Sequence, residues 1–157
     1  MIQVLFVCLG NICRSPMAEA IFKQKINDLQ WHEKVKSDSA GTSRYHIGSQ
    51  PDPRTLETLL QHTIPFRHKA RQAVSSDAVH FQYILAMDKQ NLADLKQILR
   101  PVPEHLYLMR DFDPKAKGAD VPDPYFGGQD GFEDVYQLLQ RSIDGFIDFL
   151  KKRHPAL

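Results

Sequence analysis

The sequence is poor in cysteine: Cys8 and Cys13 are the only two in 157 residues. Two thiols cannot form the disulfide framework of a small secreted domain, so we expect both to be reduced and available for chemistry. Net charge is also low, since 20 Lys and Arg stand against 19 Asp and Glu. A formal charge of +1 gives no general reason to expect nucleic acid or a membrane as a partner. Any anion site must therefore be local.

Several sequence patterns are missing. The N-terminal apolar run, residues 2–9, is too short to span a bilayer, and neither a basic segment nor a cleavage pattern flanks it. We therefore expect a soluble, unsecreted, cytoplasmic protein. No G-x-x-x-x-G-K-[ST] or G-x-G-x-x-G motif is present, which argues against nucleotide binding. The histidines show no H-E-x-x-H or paired metal-ligand spacing, so we predict no metal and no cofactor.

The chain does contain strand and helix patterns in alternation. Apolar segments predict strands at residues 2–8, 81–88 and 104–109, and the segment at residues 34–41 is predicted to form a second, shorter strand. Helices are predicted to follow Ser15, Asp52 and Asp88, each of which can act as an N-cap, and a further helix to follow Asp130, which with Glu133 resembles a capping box. In the second helix the leucines at 56, 59 and 60 are expected to face inward. This alternation predicts one α/β domain over residues 1–157, with a parallel sheet covered by helices on both faces.

The segment "VCLGNICRSP" is the most informative part of the sequence. Cys8 ends a predicted strand, and five residues separate it from Arg14 at the start of a helix. A tight loop before a helix N-terminus can direct its backbone N–H groups at an anion, and Gly10 and Asn11 tolerate the positive φ that such a loop needs. Arg14 offers a fork of donors for two phosphoryl oxygens. These surroundings favour a thiolate nucleophile at Cys8, although a buried strand-end cysteine is often only a small apolar residue.

A long connection near residues 110–131 follows the fourth predicted strand. Connections of this length inside a compact domain are usually functional. An aspartate in this loop can act as the proton donor for a reaction at the cysteine loop. The residues alone do not choose among the five candidates, which are Asp111, Asp113, Asp120, Asp123 and Asp130.

The motifs "VLFVCLGNICRSPMAEA" and "VPDPYFGG" together resemble those of the low-molecular-weight protein tyrosine phosphatase family. The resemblance continues through "SAGT", "PDPR", "HKARQ" and "AMDKQN" to the C-terminal helix. It implies a four-stranded parallel sheet of the flavodoxin-like, Rossmann-like type. The implied activity is metal-independent hydrolysis of phosphotyrosine in proteins, through a cysteinyl-phosphate on Cys8, with inorganic phosphate as product. The match to D-P-Y-F selects Asp123 as the acid.

The resemblance also implies roles for other residues. The phosphate-binding loop would comprise Arg14 with Leu9, Gly10, Asn11, Ile12, Cys13 and Ser15. Tyr45, Tyr125 and Phe126 would line a pocket for a flat ring, and hydrogen bonds from Asn11, Ser15, Ser39, His68 and Asp88 would support the loop or the thiolate. Many relatives carry two tyrosines where this chain has Tyr125 and Phe126, so regulation by phosphorylation at the second position does not carry over.

Two loop residues suggest further properties. Family members that act on phosphoarginine carry threonine at the position of Ile12. Isoleucine offers no hydrogen bond to a guanidinium, so we expect phosphotyrosine to be preferred, with weak action on the shorter phosphoserine. Cys13 is close enough in sequence to form a reversible disulfide with Cys8 under peroxide, which would protect the nucleophile from irreversible oxidation. The alternative is that Cys13 only shapes the loop.

Two other functions fit part of the pattern. Thiol-dependent arsenate reductase shares the fold and the cysteine loop, but it needs further cysteines downstream, and none follows Cys13. A phosphate- or phosphopeptide-binding module without turnover stays open, and hydrolysis of an aryl phosphate without added metal discriminates it from an enzyme. The physiological substrate and the oligomeric state are left open by the sequence.

Overall fold

The fold is a four-stranded parallel sheet with helices on both faces, as predicted. The computed structural model describes residues 1–157. The strand order is β2-β1-β3-β4, and every neighbouring pair is parallel. In chain order the elements are β1 (Ile2–Cys8), α1 (Arg14–Asp28), β2 (Val35–Gly41), α2 (Pro53–Gln61), α3 (Asp77–His80), β3 (Tyr83–Ala86), α4 (Lys89–Ile98), β4 (Leu106–Leu108), a 3₁₀ turn (Met109–Phe112) and α5 (Gln129–Arg153).

The central strand β1 is apolar along its length because helices cover both of its faces. Val4 and Phe6 join a large core formed with α1, α2 and α5. Leu5 and Val7 point the other way, into a smaller core shared with α4. All four side chains are completely buried. No helix in the structure combines the length and the apolarity that crossing a membrane requires.

The sheet topology places the cysteine loop at a natural ligand crevice. The chain leaves β1 for β2 on one side and then crosses to β3 on the other, so the connections diverge at the carboxyl ends of β1 and β3. Parallel α/β sheets bind ligands at such a switch point. Cys8 ends β1 beside Gly41 of β2. A Cβ on Gly41 would lie 2.7 Å from the carbonyl oxygen of Leu9, so only glycine allows β2 to approach the loop this closely.

Two of the predicted helix caps are confirmed. The Asp52 carboxylate accepts a hydrogen bond from the backbone N–H of Arg54 at the start of α2, at 2.8 Å. Asp88 accepts one from the N–H of Asn91 at the start of α4, at 2.7 Å. Each aspartate precedes its helix directly, so the pairing is local and readable from the sequence.

Three local predictions are wrong. Ser15 is not a cap, because α1 already begins at Arg14 and the Ser15 hydroxyl contacts Cys8 instead. Asp130 and Glu133 form no capping box, since α5 begins at Gln129 after an uncapped Gly128. Glu133 instead meets the ring of His62 at 2.8 Å. In α2 only the leucine at 59 is fully buried; the one at 60 is 60% exposed and the one at 56 is intermediate.

Candidate active site

The loop between β1 and α1 forms one wall of a pocket of about 210 Å³. Its opposite wall comes from the residues after β2 and from the long loop between β4 and α5. The pocket brings together the predicted nucleophile, arginine, acid and aromatic residues. It is lined by Cys8, Leu9, Gly10, Ile12, Cys13, Arg14, Tyr45, His46, Asp123, Tyr125 and Phe126.

The cysteine loop presents an unusual number of free backbone donors. Of the seven amides in residues 9–15, only that of Asn11 donates to a protein group; the other six, which have no protein acceptor, are those of Leu9, Gly10, Ile12, Cys13, Arg14 and Ser15. Buried amides are almost always paired in folded proteins, so a run of unpaired ones around one concavity is typical of an anion site. The dipole at the N-terminus of α1 adds positive potential to the same place.

The loop backbone differs in one respect from the expectation. Asn11 adopts the left-handed conformation, with φ of 58°, whereas Gly10 does not have a positive φ. At Gly10 the close neighbour is a side chain: a Cβ there would lie 2.8 Å from Cδ2 of His46, so a larger residue would displace the histidine ring. The glycine therefore makes room for the histidine ring rather than for a turn.

The Cys8 sulfur lies among hydrogen-bond donors. It is 3.0 Å from the Ser15 hydroxyl and 3.3 Å from the backbone N–H of Asn11. The Ser15 oxygen accepts a hydrogen bond from the side-chain amide of Asn11 at 2.8 Å, and its own proton has two acceptors in reach, the Cys8 sulfur at 3.0 Å and the carbonyl oxygen of Ala40 at 3.4 Å. The sulfur thus lies next to a hydroxyl and a backbone N–H, both of which can donate a hydrogen bond to it.

A buried network holds Asn11 and thereby Ser15 in place. The Asn11 amide donates a second hydrogen bond to Ser39 at 3.0 Å, and its carbonyl oxygen lies 2.8 Å from Nε2 of His68. Because a carbonyl oxygen can only accept, Nε2 carries the proton. Burial lowers the pKa of His68 below its ordinary value, against the opposing effect of nearby Glu19. The imidazole is therefore neutral at pH 7 and serves as a fixed donor.

Arg14 is fixed by partners behind the pocket. One guanidinium nitrogen, Nη1, donates to the Asp88 carboxylate at 2.7 Å and to the carbonyl oxygen of Val121 at 2.9 Å. The other, Nη2, lies 3.5 Å from the carboxylate of Asp123. Burial disfavours the charge, but negative charge at Cys8, together with Asp88 and Asp123, raises the pKa of Arg14 above its ordinary value. The side chain is 3% exposed, so the cation is held rigidly.

The rim of the pocket is aromatic, and it includes a residue that the sequence reasoning missed. Tyr45 and Phe126 are 79% and 94% exposed, and Tyr125 packs edge-to-face on Phe126 at 4.9 Å between ring centroids. His46 stands beside them, 6.5 Å from the Tyr125 ring. The sequence spacing of His46 does not indicate that it lines the pocket. Its position next to Tyr45 in the sequence was the one signal available.

Glu19 is a second residue that the sequence reasoning missed. It is 1% exposed on α1 and accepts a hydrogen bond from Ser39 at 2.7 Å. An acidic residue among apolar neighbours on a buried helix face was the available signal. Glu19, Asp38 and His68 each place one possible metal-ligand atom within 4.8 Å of the others. Because Lys23 pairs with Glu19 and the other two are bonded within the protein, we assign the three to support of the loop.

Cys13 differs from Cys8 in its surroundings. Both thiols are free and buried. Burial, and after it the negative charges of Asp52 and Cys8, raises the pKa of the Cys13 thiol far above its ordinary value. Cys13 is therefore protonated at neutral pH, and of the two it is the less reactive.

Comparison with known proteins gives consistent matches. The family model described as "Low molecular weight phosphotyrosine protein phosphatase" matches residues 3–156. A Schizosaccharomyces pombe protein with that name is 44% identical over 96% of both chains. The structure of YfkJ from Bacillus subtilis superposes with a TM-score of 0.92 at 40% identity, covering 98% of this chain and 97% of that one.

A further structure, named a Drosophila arginine phosphatase, superposes with a TM-score of 0.89 at 34% identity, covering 96% of this chain and 98% of that one. The family match spans nearly the whole sequence and includes every residue of the pocket. This chain therefore belongs to the low molecular weight phosphotyrosine protein phosphatase family.

Proposed function

We propose that this protein is a metal-independent protein tyrosine phosphatase that works through a cysteinyl-phosphate on Cys8. The observation that carries the proposal is the cysteine loop itself, in which six amides without a protein acceptor and the buried Arg14 guanidinium follow a Cys8 sulfur that lies within hydrogen-bond distance of the Ser15 hydroxyl and the Asn11 N–H. A tetrahedral dianion is the ligand that such a set of donors suits best. The Schizosaccharomyces pombe relative is named for the same activity.

In the first step the Cys8 thiolate attacks phosphorus, and the bond from phosphorus to the tyrosine oxygen breaks. The loop amides and Arg14 hold the equatorial oxygens as charge shifts, which is electrostatic stabilisation by fixed donors. Asp123, on the opposite wall of the pocket, donates a proton to the leaving phenolate. In the second step this carboxylate takes a proton from a water that attacks phosphorus. The sulfur leaves as a thiolate stabilised by Ser15, and inorganic phosphate is released.

The aromatic rim determines which phosphorylated side chain reaches the sulfur. Tyr45, Tyr125 and Phe126 provide ring faces and edges for a phenyl group at the mouth of the pocket. Phosphoserine is too short to bring phosphorus from this rim to Cys8. The partner that we propose is thus a phosphotyrosine-bearing protein, rather than nucleic acid or a membrane.

We further propose that the protein works in the cytoplasm, where a thiol nucleophile stays reduced. Peroxide would convert Cys8 to a sulfenic acid; the Cys13 thiol would then attack that sulfur and give its proton to the departing hydroxyl, so that water leaves and a reversible disulfide forms. Cys13 is thus proposed as the resolving thiol that protects Cys8.

Phosphoarginine is the competing substrate, because one structural relative is named an arginine phosphatase. Ile12 lines the pocket and has no hydrogen-bonding group for a guanidinium. We expect kcat/KM to be about ten- to a hundredfold higher for a phosphotyrosine peptide than for a matched phosphoarginine peptide. Ile12→Thr should narrow that ratio, whereas Ile12→Val, which has the shape of threonine without its hydroxyl, should preserve it.

These rates are measured as phosphate release without added metal. A native preference for phosphoarginine, or equal shifts from the two variants, would contradict the role of Ile12. Phosphate binding without turnover of any of these peptides would favour a binding module over an enzyme.

Asp123→Asn should lower kcat/KM for phenyl phosphate by about 10²- to 10⁴-fold, and for a dinitrophenyl phosphate much less, because an acidic phenol needs no proton on leaving. Asparagine keeps the side-chain oxygen that accepts the Tyr125 N–H at 3.1 Å, so the loop conformation should survive. The measurement is a series of aryl phosphates that differ in the pKa of the phenol. Equal losses across that series would show that Asp123 only shapes the loop.

A further inference from the structure

Arg54, in the first turn of α2, forms a bridge that the mechanism above does not use. Its guanidinium binds both carboxylate oxygens of Asp52, at 3.0 Å from Nε and 2.9 Å from Nη2. The other donors reach across to the loop between β4 and α5. Nη2 donates to the carbonyl oxygen of Tyr125 at 2.9 Å, and Nη1 donates to that of Gly127 at 3.0 Å.

The two ends of this bridge lead to opposite walls of the pocket. The Asp52 N–H donates to the carbonyl oxygen of Ile12 in the cysteine loop, at 2.8 Å. At the other end the Tyr125 N–H donates to the carboxylate of Asp123, at 3.1 Å. One continuous path of hydrogen bonds therefore runs from the cysteine loop through Arg54 to the proposed acid.

The loop that carries Asp123 is anchored just before this residue, where the Val121 N–H donates to the carbonyl oxygen of Met87 at 2.7 Å, but the residues that follow Asp123 have fewer contacts. The Asp123 side chain is 40% exposed, and residues 125–128 are exposed as well. The backbone hydrogen bonds of this segment are short-range: the Gly127 N–H donates to the carbonyl oxygen of Pro124, and the Gly128 carbonyl oxygen accepts from the N–H of Gly131. The guanidinium also lies over the rings of Phe132, at 4.5 Å, and Tyr125, at 5.6 Å. Stacking of this kind holds the plane of the fork and adds attraction.

We propose that Arg54 is the positioning residue that sets the acid loop against the cysteine loop. It does not line the pocket and touches no reacting atom. This inference rests on the proposed phosphatase activity, and it gives Arg54 a part in the placement of Asp123 in addition to the direct contact of Asp123 with Arg14. Lysine cannot take its place, because a single ammonium cannot bind Asp52 and two carbonyl oxygens in one plane.

Arg54→Lys should reduce protonation of the leaving group and leave phosphate binding intact. We expect kcat/KM for phenyl phosphate, whose phenol has a pKa near that of tyrosine at about 10, to fall about 10- to 100-fold. For a dinitrophenyl phosphate the change should be less than about threefold. Competitive inhibition by inorganic phosphate should shift less than about threefold as well, because the amides and Arg14 remain in place.

Two control variants distinguish a loss of Asp123 positioning from a general disturbance of the protein. Arg67→Lys, at an exposed arginine remote from the pocket lining, should match the unsubstituted protein on every substrate. In an Asp123→Asn background, Arg54→Lys should cause little further loss, because both changes remove the same proton transfer. The Tm of each variant is measured first, and Arg54→Gln replaces the lysine variant should that one unfold.

A uniform loss across leaving groups, a matching loss of phosphate affinity, losses that multiply in the double variant, or no loss at all would each overturn the inference. Turnover of dinitrophenyl phosphate by the unsubstituted protein needs no acid and so tests the phosphatase activity separately. Its absence would refute the proposed function, and the inference with it.

Discussion

Cys8→Ser is expected to lower kcat for phosphotyrosine peptides by about 10⁴-fold or more, with the fold and the affinity for inorganic phosphate largely kept. Serine is nearly isosteric with cysteine, and the site is 3% exposed, so the change leaves no large cavity. The expected loss of kcat therefore comes from the chemical step and not from folding or binding. The groups at position 8 are the Ser15 hydroxyl and the N–H of Asn11, and neither is a base that could remove the proton of a serine hydroxyl. The arrangement stabilises an anion that sulfur forms readily and oxygen does not.

Acid quenching during turnover tests the covalent step directly. Mass spectrometry of the quenched native protein should show one added phosphoryl group on the peptide that contains Cys8, and the Cys8→Ser protein should show none. Phosphate affinity, measured by calorimetry, should be similar for the two proteins. Substantial residual turnover by Cys8→Ser would refute the covalent mechanism.

Arg14→Lys is the second large effect, and we expect it to lower kcat/KM by about 10³-fold. In the native protein Nη1 is engaged by Asp88 and the carbonyl oxygen of Val121, while Nη2 faces Asp123 and the pocket. A lysine ammonium is one point charge. It can remain with Asp88 or move toward a phosphoryl oxygen, but it cannot do both, so either the phosphate or the buried carboxylate loses its partner.

This substitution should also lower the free energy of unfolding, by about 1–3 kcal/mol, because Val121 and Asp88 lose hydrogen bonds at a largely buried site. Urea denaturation measures the stability, and steady-state kinetics with an aryl phosphate measures the activity. Near-normal kinetics would remove Arg14 from the site, whatever the effect on stability.

Local sequence signals predicted the elements that depend on local contacts. The four strands, and the caps at Asp52 and Asp88, come from runs of apolar residues and from side chains that bond to backbone only two or three residues away. The capping box predicted at Asp130 does not form, because the Glu133 side chain instead contacts His62, which directly follows α2. The cap predicted at Ser15 is wrong because the Ser15 hydroxyl contacts the Cys8 sulfur instead.

The fold class and the chemistry of the cysteine loop follow from the local sequence, because the nucleophile, the amides without acceptors and Arg14 all lie within one strand-to-helix turn. The remaining residues of the site depend on tertiary structure. Asp123, His46 and Glu19 reach the site from separate segments, and only the strand order brings those segments to one edge of the sheet. Arg54 gave no catalytic signal at all. The carbonyl oxygens of Tyr125 and Gly127 that it binds lie some seventy residues away in the chain. These contacts form only when the complete sheet brings the two segments together.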